Sequence, residues 1–164
     1  MASIVTQGLN KIEIAAILTD GSTGTEWTSL GKTAEDSCIL ATAAPTDTEI
    51  FVEESDDPFV VISKAGKTTI SWKLSDADAT AMALVMGGTA VATVWTAAAT
   101  LPNIEMSVKV TPLKGHIWTF PRVKLTAVYD ATFNKKSIGT VDIVGTILTP
   151  NKSGLTSSTA TPVA

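Results

Sequence analysis

Apolar and polar residues alternate with a period of two along most of this chain. In 67–74, Thr68, Ile70, Trp72 and Leu74 share one face, with Lys67, Thr69, Ser71 and Lys73 on the other. Ile104, Met106, Val108 and Val110 alternate with Glu105, Ser107, Lys109 and Thr111. Val123, Leu125, Ala127 and Tyr129 make a third such face, and Ile12 and Ile14 against Lys11 and Glu13 begin a fourth. Successive side chains of a strand point to opposite sides, so each pattern predicts a strand with one buried and one wet face. Phe59, Val60, Val61 and Ile62 are apolar on both faces, and 141–148 nearly so. Strands of that kind lie between two layers or have a partner on the second face. Turn residues separate the runs: Asp20-Gly21-Ser22, Asp56-Asp57-Pro58, Ala65-Gly66, Lys114-Gly115 and Asn134-Lys135-Lys136.

One stretch follows another rule. Ser75 can cap a helix, with Asp78 three residues on as in a capping box. Asp76 and Asp78 suit the positive end of the helix dipole. Ala81, Met82, Leu84, Val85 and Met86 supply an apolar stripe, and Gly87-Gly88 ends it. The pattern predicts one helix of about three turns, near 76–86. Residues 79–104 carry no charge, a run long enough to cross a bilayer. The Gly pair at its centre and its Ala and Thr content favour a short helix followed by an extended segment. The predicted fold is mainly β, a sandwich or small barrel with one flanking helix. Residues 1–150 make a single domain, and 151–164 form a flexible Ser/Thr/Pro-rich tail.

Composition narrows the chemistry. The 164 residues include 26 threonines, β-branched side chains suited to pleated surfaces. Only 17% of residues are charged and the net charge is −4, with Arg122 the one arginine. A duplex-groove binder needs many bases to neutralise phosphates, so this balance argues against one. One Cys and one His exclude an internal disulfide and multi-Cys or multi-His metal sites. No basic stretch followed by an apolar core opens the chain, so no signal peptide is expected.

The remaining candidates have plain structural readings. A Ser-His-Asp site would have to use His116, but no Gly-x-Ser-x-Gly elbow accompanies it. Cys38, in Ser37-Cys38-Ile39-Leu40, reads as a small buried hydrophobe. Gly21-Ser22-Thr23-Gly24 lacks the Lys-Ser/Thr that completes a phosphate loop. Glu53, Glu54, Asp56 and Asp57 are four acids in five positions, followed by Pro58. They lack the spacing of a calcium loop and read as a solvated hairpin tip. If they bind anything, a basic surface on a neighbouring subunit is the sensible partner. No catalytic, metal or cofactor set emerges. A β-domain with long edges must pair or guard them, and closure of many copies into a ring is one solution.

Four segments, taken in order, resemble the major tail (tail tube) proteins of long-tailed bacteriophages. They are Glu26-Trp27-Thr28-Ser29-Leu30-Gly31-Lys32-Thr33, with its Trp-x-x-Leu-Gly opening; the pair 48–54 and 64–74; the short helix ending in Gly-Gly; and His116-Ile117-Trp118-Thr119-Phe120-Pro121-Arg122-Val123-Lys124-Leu125, a strand broken by Phe-Pro. The resemblance spans roughly 10–150, and its weight lies in the order of the segments. It implies a non-enzymatic virion protein with a β-sandwich and a flanking helix. Its copies would assemble into sixfold rings stacked as a tube, through which genomic DNA passes without specific binding. Its partners would be itself and other tail proteins, with no membrane and no cofactor. On that reading Glu53, Glu54, Asp56, Asp57 and Pro58 belong to a loop touching the adjacent ring. A capsid-associated module, such as a head decoration protein, is the second reading, and a small hydrolase using His116 the third.

Overall fold

The computed structural model describes residues 4–163. The elements in order are β1 (Lys11–Ala15), β2 (Thr28–Ser29), β3 (Ile39–Thr42), β4 (Thr46–Val52), β5 (Ser55–Lys64), β6 (Thr68–Leu74), α1 (Ala79–Met86), β7 (Thr89–Val91), β8 (Val94–Thr96), β9 (Ile104–Thr111), β10 (His116–Asp130), β11 (Thr140–Ile147) and β12 (Thr159–Pro162). The fold is mainly β with one short helix, as the alternation predicts.

The main sheet runs β2-β1-β9-β10-β11-β6-β3, with β12 paired to β10 and every pairing antiparallel. It curls on itself. The chain leaving β2 bridges at Thr33 to Leu74 of β6, near the far side of the sheet. Ala34 N–H donates to the Lys73 carbonyl, and Ser75 N–H to that of Lys32. Within the curl, Ile12 and Ile14 of β1, Ile70, Trp72 and Leu74 of β6, Val108, Phe120, Val123, Leu125, Val141 and Ile143 form one buried cluster. Leu30, Ala81 and Val85 join it. Most of the faces read from the alternation are therefore the ones that pack.

The polar faces depart from expectation on β1 and β9. Glu13 and Ser107 are buried, because the segment between β1 and β2 folds over them. Glu13 lies opposite Lys109 and pairs with both Lys11 and Lys109, at 3.0 and 3.1 Å. The Trp27 ring lies over the Lys109 ammonium at 4.4 Å, a cation–π contact. Ser107 Oγ donates to the Pro121 carbonyl at 2.7 Å and accepts from Gly24 N–H at 3.0 Å. Pro121 sits where the β9–β10 register slips, between Phe120 and Val123. A proline has no N–H for the ladder and is at home in such a bulge. Tyr129, placed on a buried face by its spacing, is half exposed, since β10 outruns the core there.

The helix falls in the expected stretch but begins later, at Ala79, and Asp78 rather than Ser75 caps it. Asp78 Oδ1 accepts from Ala81 N–H at 2.7 Å. Ser75 and Asp76 are already committed: Ser75 pairs with Lys32 as above, and the Asp76 carboxylate accepts the Lys32 N–H. Gly87 closes the helix with φ of 76°, its N–H bonded to the Ala83 carbonyl. The extended segment expected after it is the hairpin β7–β8. The C-terminal stretch expected as a flexible tail carries β12, laid along the first half of β10 from His116↔Pro162 to Thr119↔Thr159. Threonines at alternate positions suit it to that edge.

Candidate interaction surface

The most conspicuous surface feature grows out of the sheet. β3 and β6 pair from Ile39↔Ser71 to Thr42↔Thr68, and β4 and β5 from Thr46↔Lys64 to Ile50↔Val60. Both pairs keep one register, so β3–β4 and β5–β6 are the two legs of a single long hairpin, interrupted around Pro45 and Gly66. A side chain at Gly66 would collide with the Ala43 carbonyl across the ribbon, so a glycine is needed at the interruption. Beyond it, β4 and β5 make sustained contact only with each other among the described elements. With about 3.3 Å of rise per residue, the seven residues of β4, which pair with β5 and are joined to it by a slipped register near the tip, form an arm about 23 Å long.

The arm is apolar on both faces. Register puts Ile50, Val60 and Ile62 on one face, alternation along β5 puts Phe59 and Val61 on the other, and Phe51 lies in the step where the register slips. All six are exposed, Phe59 at 70% and Phe51 at 55%. The run 59–62, read from sequence as a strand covered on both sides, is covered on neither within this chain. The acids of interest gather at its end. Glu53 and Glu54 make the turn, while Asp56, Asp57 and Pro58 lie on β5 rather than in a loop. Between 46 and 64 the chain carries six acids and one lysine; the remainder carries ten acids against eleven bases. The whole net negative charge of the molecule is thus on the arm.

A second unusual surface is the turn joining β10 to β11, residues 131–139. Asn134 Oδ1 accepts from Lys136 N–H and Ser137 N–H, both at 2.8 Å, and from Ser137 Oγ at 2.9 Å. This internal bonding orders the turn while its apolar side chains face outward, Phe133 at 93% exposure and Ile138 at 68%. Between them stand Lys135 and Lys136, the only adjacent bases in the sequence. The five ion pairs among the described residues all use other bases.

The candidate chemical groups are placed less suggestively. His116 and Cys38 line one open trough of about 850 Å³, with Leu9, Leu40, Val110 and Trp118 among its walls. Burial pushes the Cys38 thiol up from its ordinary value, opposite to the shift of a reactive cysteine. No three His, Cys, Asp or Glu side chains stand close enough to hold a metal ion among the described residues. No helix there is long and apolar enough to cross a membrane. Arg122 is engaged structurally: its Nε donates to Glu105 at 2.6 Å, and its terminal nitrogen to Asn151 at 2.8 Å and the Thr149 carbonyl at 3.2 Å. The Arg122 bond holds Glu105 below the usual carboxylate range, and Lys73 does the same for Asp142. At Glu13, burial works to raise the value, but the bonds from Lys11 and Lys109 outweigh it and the net shift is downward. Lys152 and Ser22 hold Asp20 far below its ordinary value.

Sequence reasoning located the acidic tip but not the reach of the arm. The signal was present in the two-faced apolar run at 59–62. Asn134-Lys135-Lys136 was legible as a turn but not as an interaction surface, for which Phe133 and Ile138 flanking the two lysines were the available sign. The chain matches no protein-family model, and no curated protein sequence matches it.

Proposed function

We propose that this chain is a structural, non-enzymatic virion protein: the subunit of a phage tail tube, closing into sixfold rings that stack around a lumen for DNA. The arm carries this reading. An isolated two-stranded ribbon is marginal in water, and this one exposes six large apolar side chains on two faces. An apolar surface of that extent marks an interaction site, and a ribbon apolar on both sides is suited to lie between neighbours in an assembly. The resemblance to tail tube proteins supplies the kind of assembly. The charge distribution is compatible with it. Away from the arm the chain is nearly neutral and its one arginine is tied to Glu105, Thr149 and Asn151. A wall with no net positive excess beyond about one charge per subunit and its arginine engaged gives DNA no strong grip.

Purified protein should form rings or hollow tubes as its concentration rises, seen by negative-stain electron microscopy and sedimentation velocity. Replacement of 45–65 by an Asn-Gly turn should leave a folded body that stays monomeric. A full-length chain that is monomeric at every concentration would overturn the reading. If that monomer bound preformed capsid shells, the capsid-associated reading would take its place.

A further inference from the structure

We infer that the acidic arm of one copy docks on the basic, aromatic turn 131–139 of a second copy, so that subunits join head to tail. The inference rests on the self-assembly reading above and names the surface that receives the arm. Three observations carry it. The first is position. The arm leaves the sheet at Thr68, the start of β6, whereas Val141 of β11 pairs with Leu74 at the end of β6. The turn 131–139 links Asp130 to Thr140, so it lies at the opposite end of the sheet from the arm. A copy translated along the strand direction brings its turn towards the arm of the next.

The second is charge. The arm holds the net negative charge of the chain, with Glu53, Glu54, Asp56 and Asp57 at its tip. Lys135 and Lys136 pair with none of the described acids. Complementary potentials of this kind steer encounter and fix register.

The third is apolar surface. Phe51 and Phe59 near the tip and Phe133 and Ile138 on the turn are all exposed. Aromatic anchors beside charged groups at a contact are what gives an interface both energy and specificity. The contact is heterologous, because different patches of the two copies meet, and heterologous contacts propagate into rings or stacks instead of stopping at a dimer.

The test is a charge exchange on the full-length chain, read as the concentration at which assembly begins by light scattering and electron microscopy. Lys135→Glu with Lys136→Glu should raise that concentration about tenfold or more, as should Glu53→Lys with Glu54→Lys. The chain carrying all four changes should return to within about threefold of the unaltered protein, the coupling that direct partners show. Rescue by the fourfold variant also shows that each component change left the fold intact. Unaltered assembly in the Lys135/Lys136 variant would overturn the docking, as would two impaired variants whose combination is not rescued. Either result leaves the self-assembly reading standing; a wild-type chain that never assembles removes that reading first.

Discussion

Replacing Phe51 and Phe59 together by serine separates a surface built for a partner from one built for the fold. Phe59 is 70% exposed and Phe51 55%. A phenylalanine buries on the order of 200 Å² when fully covered, so about 140 and 110 Å² remain open on the two rings in the free chain. Covering that area at about 25 cal/mol per Å² would contribute about 6 kcal/mol for the pair. Lost freedom and imperfect desolvation take back much of this on association. Half the area value, about 3 kcal/mol, is a fair working figure, and it weakens a contact about 100-fold. The effect on the isolated subunit should be small. Neither ring belongs to the buried cluster, and surface substitutions stay within about 0.5 kcal/mol, which is a shift of 1–2 °C or so in a chain of this size. Thermal unfolding of the dilute monomer and sedimentation across a concentration series read the two quantities separately. The expected result is a melting temperature within about 2 °C of the unaltered chain, with assembly shifted to about 100-fold higher concentration. Phe51→Leu with Phe59→Leu should keep most of the assembly. Equal assembly by the serine variant would refute the assignment of these rings to an interface. A monomer destabilised by several kcal/mol would refute the exposure on which the estimate stands.

Two further outcomes bear on the body of the subunit. Ser107→Ala leaves the Gly24 N–H and the Pro121 carbonyl, both bonded to Ser107 Oγ, without partners in a buried place. It should cost about 2–4 kcal/mol, measurable as a lower urea midpoint, and a midpoint within error of wild type would remove the role given to that hydroxyl. Glu13, Glu105 and Asp142 are held below their ordinary values, so the unfolded chain binds protons at higher pH than the folded one. Their stabilisation is complete above the ordinary carboxylate range near pH 4 and is lost as pH falls through the lowered values. Urea midpoints from neutral to strongly acid pH should fall in that window and fall less in Glu105→Gln; an identical profile in the variant would count against the Arg122–Glu105 pair.

The legible parts of the fold were those where one local pattern decides the outcome. Ile70, Trp72 and Leu74 lie at alternate positions, and burial of any one requires burial of all. Gly87 ends α1 because a left-handed residue is needed there and glycine supplies it. The start of α1 was less legible, because Asp76 had a competing partner in the Lys32 N–H, 44 residues away in sequence. Burial of Glu13 and Ser107 was hidden for the same reason. Their spacing placed them on a wet face, and only the overlying segment with Gly24 and Trp27 makes that face dry. Asn134 made the turn at 134–136 legible, but its two lysines between two apolar residues describe many surface turns, so its outward face was not.

The arm differs from these cases, because its sequence and its surroundings in one chain disagree. Phe59, Val60, Val61 and Ile62 read as a strand covered on both faces, and the single chain covers neither. The disagreement disappears if the cover comes from other copies. A bare ribbon of this kind also invites arm-to-arm pairing along its edges. The charge pattern resists that outcome. Two identical arms would bring together ribbons that each carry six acids against one lysine, and like charges opposed across strands destabilise pairing. Pro58 removes one ladder donor from the β5 edge. An arm that repels its own kind and exposes apolar side chains on both faces needs an acceptor of different charge. Within this molecule the exposed Lys135–Lys136 turn meets that requirement, and it stands at the other end of the sheet.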